Sequence, residues 1–203
     1  MSEPVRLIVW SDYLCPWCWV GGTRLRRLED EGLVRLEWRS FLLRPRPDPG
    51  RTLERFRAYT ESWRRPAAEP DAPPFRVWEG DAGPPSHSVP PHLAAKAAAT
   101  LGEDAFRRMH ERLMRAYFAE SRDITAADTL RALWEDVGLP SDAFGRAADP
   151  ALLRRVADEH DAALERGITG VPAVCVAGRE GFVPGAQPIE TYRLWLRRLA
   201  AGA

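Results

Sequence analysis

Apolar and polar positions along this chain change period several times, and each change predicts an element. Val5 to Trp10 is a short run of β-branched and aromatic side chains broken only by Arg6, the pattern of a buried strand. From Pro16 to Glu31 the spacing turns helical, with Trp19, Leu25 and Leu28 on an inner face and Gly32 as a stop signal. Leu33 to Leu43 then alternates. Leu33, Leu36, Trp38 and Phe41 stand among Val34, Arg35, Glu37, Arg39 and Ser40, which predicts a second strand. The helix between the strands gives a crossover suited to a parallel pair, so the first third reads β-α-β.

Arg44 to Gly50 carries Pro45, Pro47 and Pro49 and reads as an exit loop. Thr52 to Arg65 is helical in pattern, and Pro66 to Pro91 is a long, proline-heavy connection with little periodicity. Connections of that length are usually functional or mobile. From His92 to Gly167 the periodicity predicts helices over Leu93–Leu101, Asp104–Ala119, Ala126–Val137 and Ala151–Arg166. They are separated at Gly102, Asp123, Gly138-Leu139-Pro140 and Asp149-Pro150, and Thr125 is an N-cap candidate. A strand pattern returns at Pro172–Ala177, a turn at Gly178–Gly181, and a short antiparallel partner at Phe182-Val183. Gln187-Pro188 to Leu199 closes as a helix with Ile189, Tyr192, Leu196 and Leu199 on one stripe. The order is β-α-β, a helical block, then β-β-α, with no internal repeat.

At 203 residues the chain has room for one domain with a sizeable core, or a small domain carrying an insertion. Lys+Arg of 29 against Asp+Glu of 29 argues against nucleic acid or an anionic membrane as partner. Lys96 is the only lysine, and the scattered arginines read as a composition bias rather than a binding site. Three cysteines are too few for a disulfide-stapled secreted scaffold. Met1 to Arg6 shows no basic region followed by a long apolar one, and Val5 to Val9 is far too short to span a bilayer. The expectation is a cytoplasmic, reducing setting.

One motif carries chemistry. Cys15-Pro16-Trp17-Cys18 follows the first strand at the point where the helix begins. Two cysteines spaced by two residues can open and close a disulfide, and a strand-to-helix setting marks the redox form of the motif. Cys15 belongs at the helix N-cap or first position, with Pro16 just inside, where a missing N–H costs nothing. Free backbone N–H groups and the positive helix end then stabilise a thiolate at Cys15. Cys18, nearly one turn along and more buried, is placed to attack a mixed disulfide formed at Cys15. The competing reading of the motif is half of a zinc site. That needs four ligands, and Cys175 with His87, His92, His110 and His160 supplies no second matching pair.

Ser11-Asp12-Tyr13-Leu14-Cys15-Pro16-Trp17-Cys18, Gly167-Ile168-Thr169-Gly170-Val171-Pro172 and Gly185-Ala186-Gln187-Pro188 lie at the two ends of the chain. With these motifs the sequence resembles the DsbA-like branch of the thioredoxin superfamily, most closely its FrnE-type members. It is also similar to the 2-hydroxychromene-2-carboxylate isomerases and kappa-class glutathione transferases. The resemblance covers nearly the whole length. It implies an α/β, thioredoxin-like fold: residues 1–50 and 168–203 form the thioredoxin-like part of a single domain, and 51–167 a helical insertion. It implies a thiol–disulfide oxidoreductase or isomerase acting on protein or small-molecule disulfides, with Cys15, Cys18 and Pro172 catalytic and Pro16, Trp17 and Val171 touching substrate. Pro172 is expected as a cis-proline facing the cysteines, presenting the Val171 backbone as a short edge for a substrate peptide. No cofactor beyond the Cys15–Cys18 disulfide and no metal is implied, with glutathione a candidate reductant. The alternative is a glutathione-dependent isomerase or transferase. Those relatives carry serine in place of the first cysteine and an acid–base pair where this chain has Gln187-Pro188.

The chain departs from the thioredoxin pattern at Val9, six residues before Cys15, where a buried acid often serves the resolving thiol. Proton transfer must therefore use water or another group, and Asp12 reads as a backbone cap of the turn. Cys175, between Val174 and Val176, reads as a buried structural thiol. His87 and His92 flank Pro90-Pro91 at the mouth of the helical block, while His110 and His160, in charged helices, read as surface residues. Trp38, Phe41, Phe106, Tyr117, Phe118 and Trp134 are expected in the core. Trp17 is expected to be exposed and to pack on substrate.

Overall fold

The computed structural model describes residues 3–201. Strand β1 (Val5–Ser11) leads through helix α1 (Pro16–Asp30) into β2 (Val34–Ser40). Then come α2 (Leu53–Thr60), α3 (Arg64–Ala67), α4 (Val89–Ala99), α5 (Glu103–Glu120), α6 (Ala127–Asp136) and α7 (Pro150–Glu165). The chain closes with β3 (Ala173–Val176), β4 (Val183–Pro184) and α8 (Ile189–Ala200). The sheet order is β2-β1-β3-β4. β1 runs parallel to β2, from Val5 opposite Val34 to Ser11 opposite Ser40, and antiparallel to β3, from Leu7 opposite Val176 to Trp10 opposite Ala173.

Because β1 is central, its alternation feeds two cores rather than one core and solvent. Leu7 and Val9 pack with Leu25 and Leu28 of α1 and with Tyr192 and Leu196 of α8. Ile8 and Trp10 face the other way, onto Ala163 of α7 and Ile168. The helical block has its own core of Phe56, Trp63, Tyr117, Phe118 and Trp134 among others, and Tyr13, Leu14, Cys15 and Cys18 belong to it. The cysteine loop therefore lies on the seam between sheet and helical block.

Several local expectations shift. In β2 the buried face is Val34, Leu36, Trp38 and Ser40, so the alternation starts one residue later than expected and Leu33 is exposed. α6 begins at Ala127 with Ala126 as its cap residue. The Thr125 hydroxyl instead accepts from Ser86 N–H (3.0 Å) and donates to Asp123 (2.7 Å). Residues Ser141–Ala148, unassigned from the pattern, form a 3-10 helix. The long proline-rich connection is held down by side chains that meet its backbone: Trp78 N–H donates to Thr60 Oγ1 (3.1 Å) and Glu79 N–H to Ser121 Oγ (3.0 Å). At Gly80 a Cβ would stand 2.7 Å from the Ser121 carbonyl oxygen, so only glycine allows that approach.

The arginines are not all a solvated coat. Arg24 on α1 is buried, donating to Asp71 (2.6 Å), Glu69 (2.6 Å) and the carbonyls of Ala186 (3.0 Å) and Gln187 (3.1 Å). It ties α1 to the proline-rich connection and to the loop before α8. Lys96 on α4 is likewise buried against Glu159 on α7.

Candidate functional site

Cys15 is the N-cap of α1, in extended conformation, with Pro16 in the first turn. Its Sγ accepts from the Cys18 N–H at 3.3 Å, an amide of the first helical turn that also donates to the Cys15 carbonyl (3.0 Å). The same thiol donates to the Val171 carbonyl at 3.3 Å. The Val171–Pro172 peptide is cis, and Pro172 is buried against the motif. Residues 156 positions apart in sequence thus meet at one sulfur atom.

Two glycines of α1 allow close packing, one against the proline loop and one against β2. A Cβ at Gly21 would stand 3.1 Å from Pro172 Cγ and 3.4 Å from Ala186 Cβ, and one at Gly22 3.2 Å from the Trp38 ring. Gly21 thereby sets how closely the proline loop sits on the helix. The Gly-Gly pair after the motif was the available signal for this, and reading it as plain helix passed it by.

Burial pushes the Cys18 thiol well above the ordinary thiol range, and the neighbouring Cys15 adds to the shift. The Asp12 backbone and the Ser11 hydroxyl oppose it. Burial thus favours the protonated form of Cys18. Asp12 does cap the turn, with Oδ1 accepting from Leu14 N–H (2.7 Å). Its Oδ2 also accepts from Leu43 N–H (2.6 Å) and from the Ser88 hydroxyl (2.6 Å), joining the motif to the exit of β2 and the start of α4. Complete burial raises its carboxyl to about 6, against the pull of those hydrogen bonds.

Pro16, Trp17 and Val171 surround Cys15 and are half-buried. Trp17 is not fully exposed as expected: it packs on the helical core. Tyr59 of α2 was not anticipated. The residue is 45 % exposed, and burial of its hydroxyl together with the nearby Cys15 sulfur raises its pKa. His110 and His92, expected at the surface and at a loop mouth, are both buried. His110 Nδ1 shares a hydrogen bond with the Tyr13 hydroxyl (2.9 Å), and the Tyr13 ring contacts both imidazoles edge-on. His160 is half-buried and accepts from Leu42 N–H (3.2 Å). His87 pairs with Ser86 (2.7 Å). Cys175 lies buried in β3 with its thiol pushed up by desolvation.

Cys18 also borders a cleft of about 690 Å³ lined by Arg26, Arg107 and Arg112. Acids answer these arginines: Arg26 meets Glu29 (2.8 Å), Arg107 meets Asp30 (2.9 Å) and Arg112 meets Asp136 (2.9 Å). Among the described residues no three His, Cys, Asp or Glu side chains group closely enough to hold a metal ion. None of the described helices is long and apolar enough to cross a membrane.

The family described as the DSBA-like thioredoxin domain matches residues 6–197. A curated relative, the uncharacterized protein YwbO of Bacillus subtilis, is 29% identical over 188 residues, covering 90% of each chain. Among solved structures, the probable DsbA oxidoreductase SCO1869 of Streptomyces coelicolor superposes with a TM-score of 0.75 at 26% identity. The match spans 98% of this chain and 91% of that one. The cytosolic disulfide reductase DsbM of Pseudomonas aeruginosa has the same fold, with a TM-score of 0.78 at 21% identity over 98% and 100% of the two chains.

Proposed function

Because the chain belongs to the DSBA-like thioredoxin domain family, we propose that it is a thiol–disulfide oxidoreductase or isomerase working through Cys15 and Cys18. The observation that carries this reading is the environment of the Cys15 sulfur, 3.3 Å from the Cys18 amide and 3.3 Å from the Val171 carbonyl, beside a second thiol whose protonated form burial favours. In the reducing direction the Cys15 thiolate attacks one sulfur of a partner disulfide. The partner's S–S bond breaks, its second sulfur leaves as a thiolate, and a mixed disulfide forms at Cys15. Cys18 then loses its proton and attacks Cys15 Sγ, the mixed bond breaks, and the partner departs with two electrons and takes up protons from water. The reverse sequence oxidises a dithiol. Attack on the mixed disulfide by another cysteine of the substrate rearranges its disulfides.

Pro16, Trp17 and Val171 frame the substrate, and the Val171 backbone offers an edge to an extended peptide. The thioredoxin-like part, residues 1–50 and 168–203, carries the chemistry, and the insertion, 51–167, shapes access to it through Tyr59. Substrates are protein or small-molecule disulfides in the cytoplasm, with glutathione restoring the dithiol. The P. aeruginosa disulfide reductase is described as cytosolic and was also solved with GSH, which supports both points by analogy.

The test is titration of the protein against mixtures of reduced and oxidised glutathione, with mass detection of the Cys15–Cys18 bond, alongside insulin reduction. Cys15→Ser abolishes exchange, and Cys18→Ala leaves partners trapped on Cys15. Full insulin activity in Cys15→Ser overturns the proposal. Glutathione-dependent turnover of an aromatic substrate that survives Cys18→Ala establishes the isomerase or transferase alternative in its place.

A further inference from the structure

Between α1 and the loop before α8, one buried cation meets two backbone carbonyls and two carboxylates. Arg24, with a side chain 3 % exposed, donates from Nη1 to the carbonyls of Ala186 (3.0 Å) and Gln187 (3.1 Å). The other edge of its fork is taken by acids of the proline-rich connection. Nε and Nη2 donate to Asp71 Oδ1 (3.0 and 2.6 Å), and Nη2 also donates to Glu69 (2.6 Å). Every nitrogen of the guanidinium is engaged. Because the group is planar, it cannot turn without giving up bonds on one edge or the other.

The segment that Arg24 grips is the one that backs the proline loop. Gly185 N–H donates to the Pro172 carbonyl at 2.7 Å, and the Gly185 carbonyl accepts from the Tyr192 hydroxyl at 3.2 Å. Pro172 follows Val171, whose carbonyl accepts from the Cys15 thiol at 3.3 Å. A continuous run of bonds therefore leads from Asp71 through Arg24, residues 185–187 and Pro172 to the Cys15 sulfur. The sheet does little to fix this segment by itself. β4 is two residues long, with only Val183 and Pro184 paired to β3, and so short a ladder is weak without other contacts.

We propose that Arg24 is a positioning residue: by fixing the Ala186 and Gln187 carbonyls it holds the Val171–Pro172 segment where the Val171 backbone can pair with an extended polypeptide whose disulfide lies at Cys15. This deepens the oxidoreductase reading and rests on it, and it makes polypeptide disulfides the substrate class. A polypeptide uses both the sulfur and the backbone edge beside it, whereas a small disulfide uses the sulfur alone. Arg24 itself is buried and acts only through residues 185–187. Lysine at this place keeps the charge but not the fork, so it can meet Asp71 or the carbonyls and not all of them together.

The experiment mixes pre-reduced, full-length protein with excess insulin or with 2-hydroxyethyl disulfide, quenches with N-ethylmaleimide at intervals, and follows formation of the Cys15–Cys18 bond by mass. Arg24→Lys is expected to slow the reaction with insulin about five-fold, the size of one backbone hydrogen bond to the partner, and to change that with 2-hydroxyethyl disulfide by less than about two-fold. Hydrogen exchange of the Gly185 amide is expected to quicken in Arg24→Lys while the amides of β1 keep their rates. Asp71→Asn, which spares both carbonyl bonds but removes the charge that orients the fork, is expected to give a smaller change in the same direction, and it carries the test should Arg24→Lys fail to fold. No selective slowing with insulin, whether both reactions slow alike or neither does, overturns the positioning role. Slowing confined to insulin with unchanged exchange at Gly185 overturns the route through residues 185–187. An unsubstituted protein that forms no Cys15–Cys18 bond with either disulfide overturns the oxidoreductase reading itself.

Discussion

Lys96 offers the sharpest test of how the helical block is fastened to the sheet. It is 5 % exposed, and its Nζ lies 2.7 Å and 2.6 Å from the two carboxylate oxygens of Glu159 and 3.2 Å from the Trp38 carbonyl. Glu159, with a side chain 11 % exposed, also accepts from Ser40 N–H (2.7 Å) and from Arg155 (3.0 Å). Burial alone would raise the Glu159 carboxyl, yet Lys96 and the Ser40 amide hold it below its ordinary value. Lys96→Met removes the cation and leaves the carboxylate buried. Breaking such a pair from one side costs about 3–5 kcal/mol. The lower end applies because Arg155 and Ser40 remain, so about 3 kcal/mol is expected, or roughly 6–12 °C in Tm for a domain of this size. Because Glu159 is held low, its share of stability is present above the ordinary carboxylate range and is lost as pH falls through the lowered value, so the penalty of Lys96→Met shrinks in acid. Guanidinium unfolding followed by fluorescence of the 8 tryptophans measures it. The double variant Lys96→Met, Glu159→Leu should recover about 2 kcal/mol, giving a coupling energy of that order. A single-variant cost below about 1 kcal/mol, the range of exposed pairs, with no coupling, refutes the view that this pair is desolvated and structural.

The remaining predictions concern the motif and its surroundings. Asp12 binds its proton more tightly when folded, since its carboxyl is raised to about 6, so stability gains as pH falls from about 6 toward 4. Asp12→Asn removes this gain, and the difference in unfolding free energy between wild type and variant should change by about 2 kcal/mol between pH 7 and pH 4.5; a constant difference rejects the raised carboxyl. Gly21→Val puts methyl groups where a Cβ alone meets Pro172 Cγ at 3.1 Å. It should cost about 1–3 kcal/mol in stability and slow insulin reduction more than the stability loss explains; an unchanged rate means that the proline loop is positioned by other contacts. Cys175→Ala should cost about 1 kcal/mol and leave insulin reduction as it was. A large loss of rate there would make Cys175 a third redox partner.

Local pattern was enough where neighbours in sequence are also neighbours in space. The first strand, the cysteine motif at the start of α1 and the stripe of Ile189, Tyr192, Leu196 and Leu199 on α8 all depend on spacing within one element. The one-residue slip in β2 arose because Leu33 and Val34 are both apolar, and only pairing with β1 decides which of them turns inward. His110 was legible and misread. Phe106, His110, Leu113, Met114 and Tyr117 recur at intervals of three and four, the inner face of a helix, but the charged residues between them directed the reading to composition. Tyr59 and the Asp12–Ser88 bond had no local signature, since each joins segments far apart in the chain.

The buried polar contacts of the fold share a location. Asp12, Arg24 and the Lys96–Glu159 pair are polar side chains buried where the sheet meets the helical block or the proline-rich connection, and each makes directional bonds to backbone or to an opposite charge. Apolar contact is proportional to area and indifferent to direction, so it would hold two such layers together over a range of relative positions. A carboxylate that must accept from Leu14, Leu43 and Ser88 at once has far fewer satisfactory positions. The cysteine motif lies on that seam, and its Cys15 sulfur needs Val171, more than 150 residues away in sequence, within 3.3 Å. Buried polar contacts at the seam narrow the freedom that the apolar cores leave, which is why replacing them should disturb the geometry at sulfur as well as the stability of the fold.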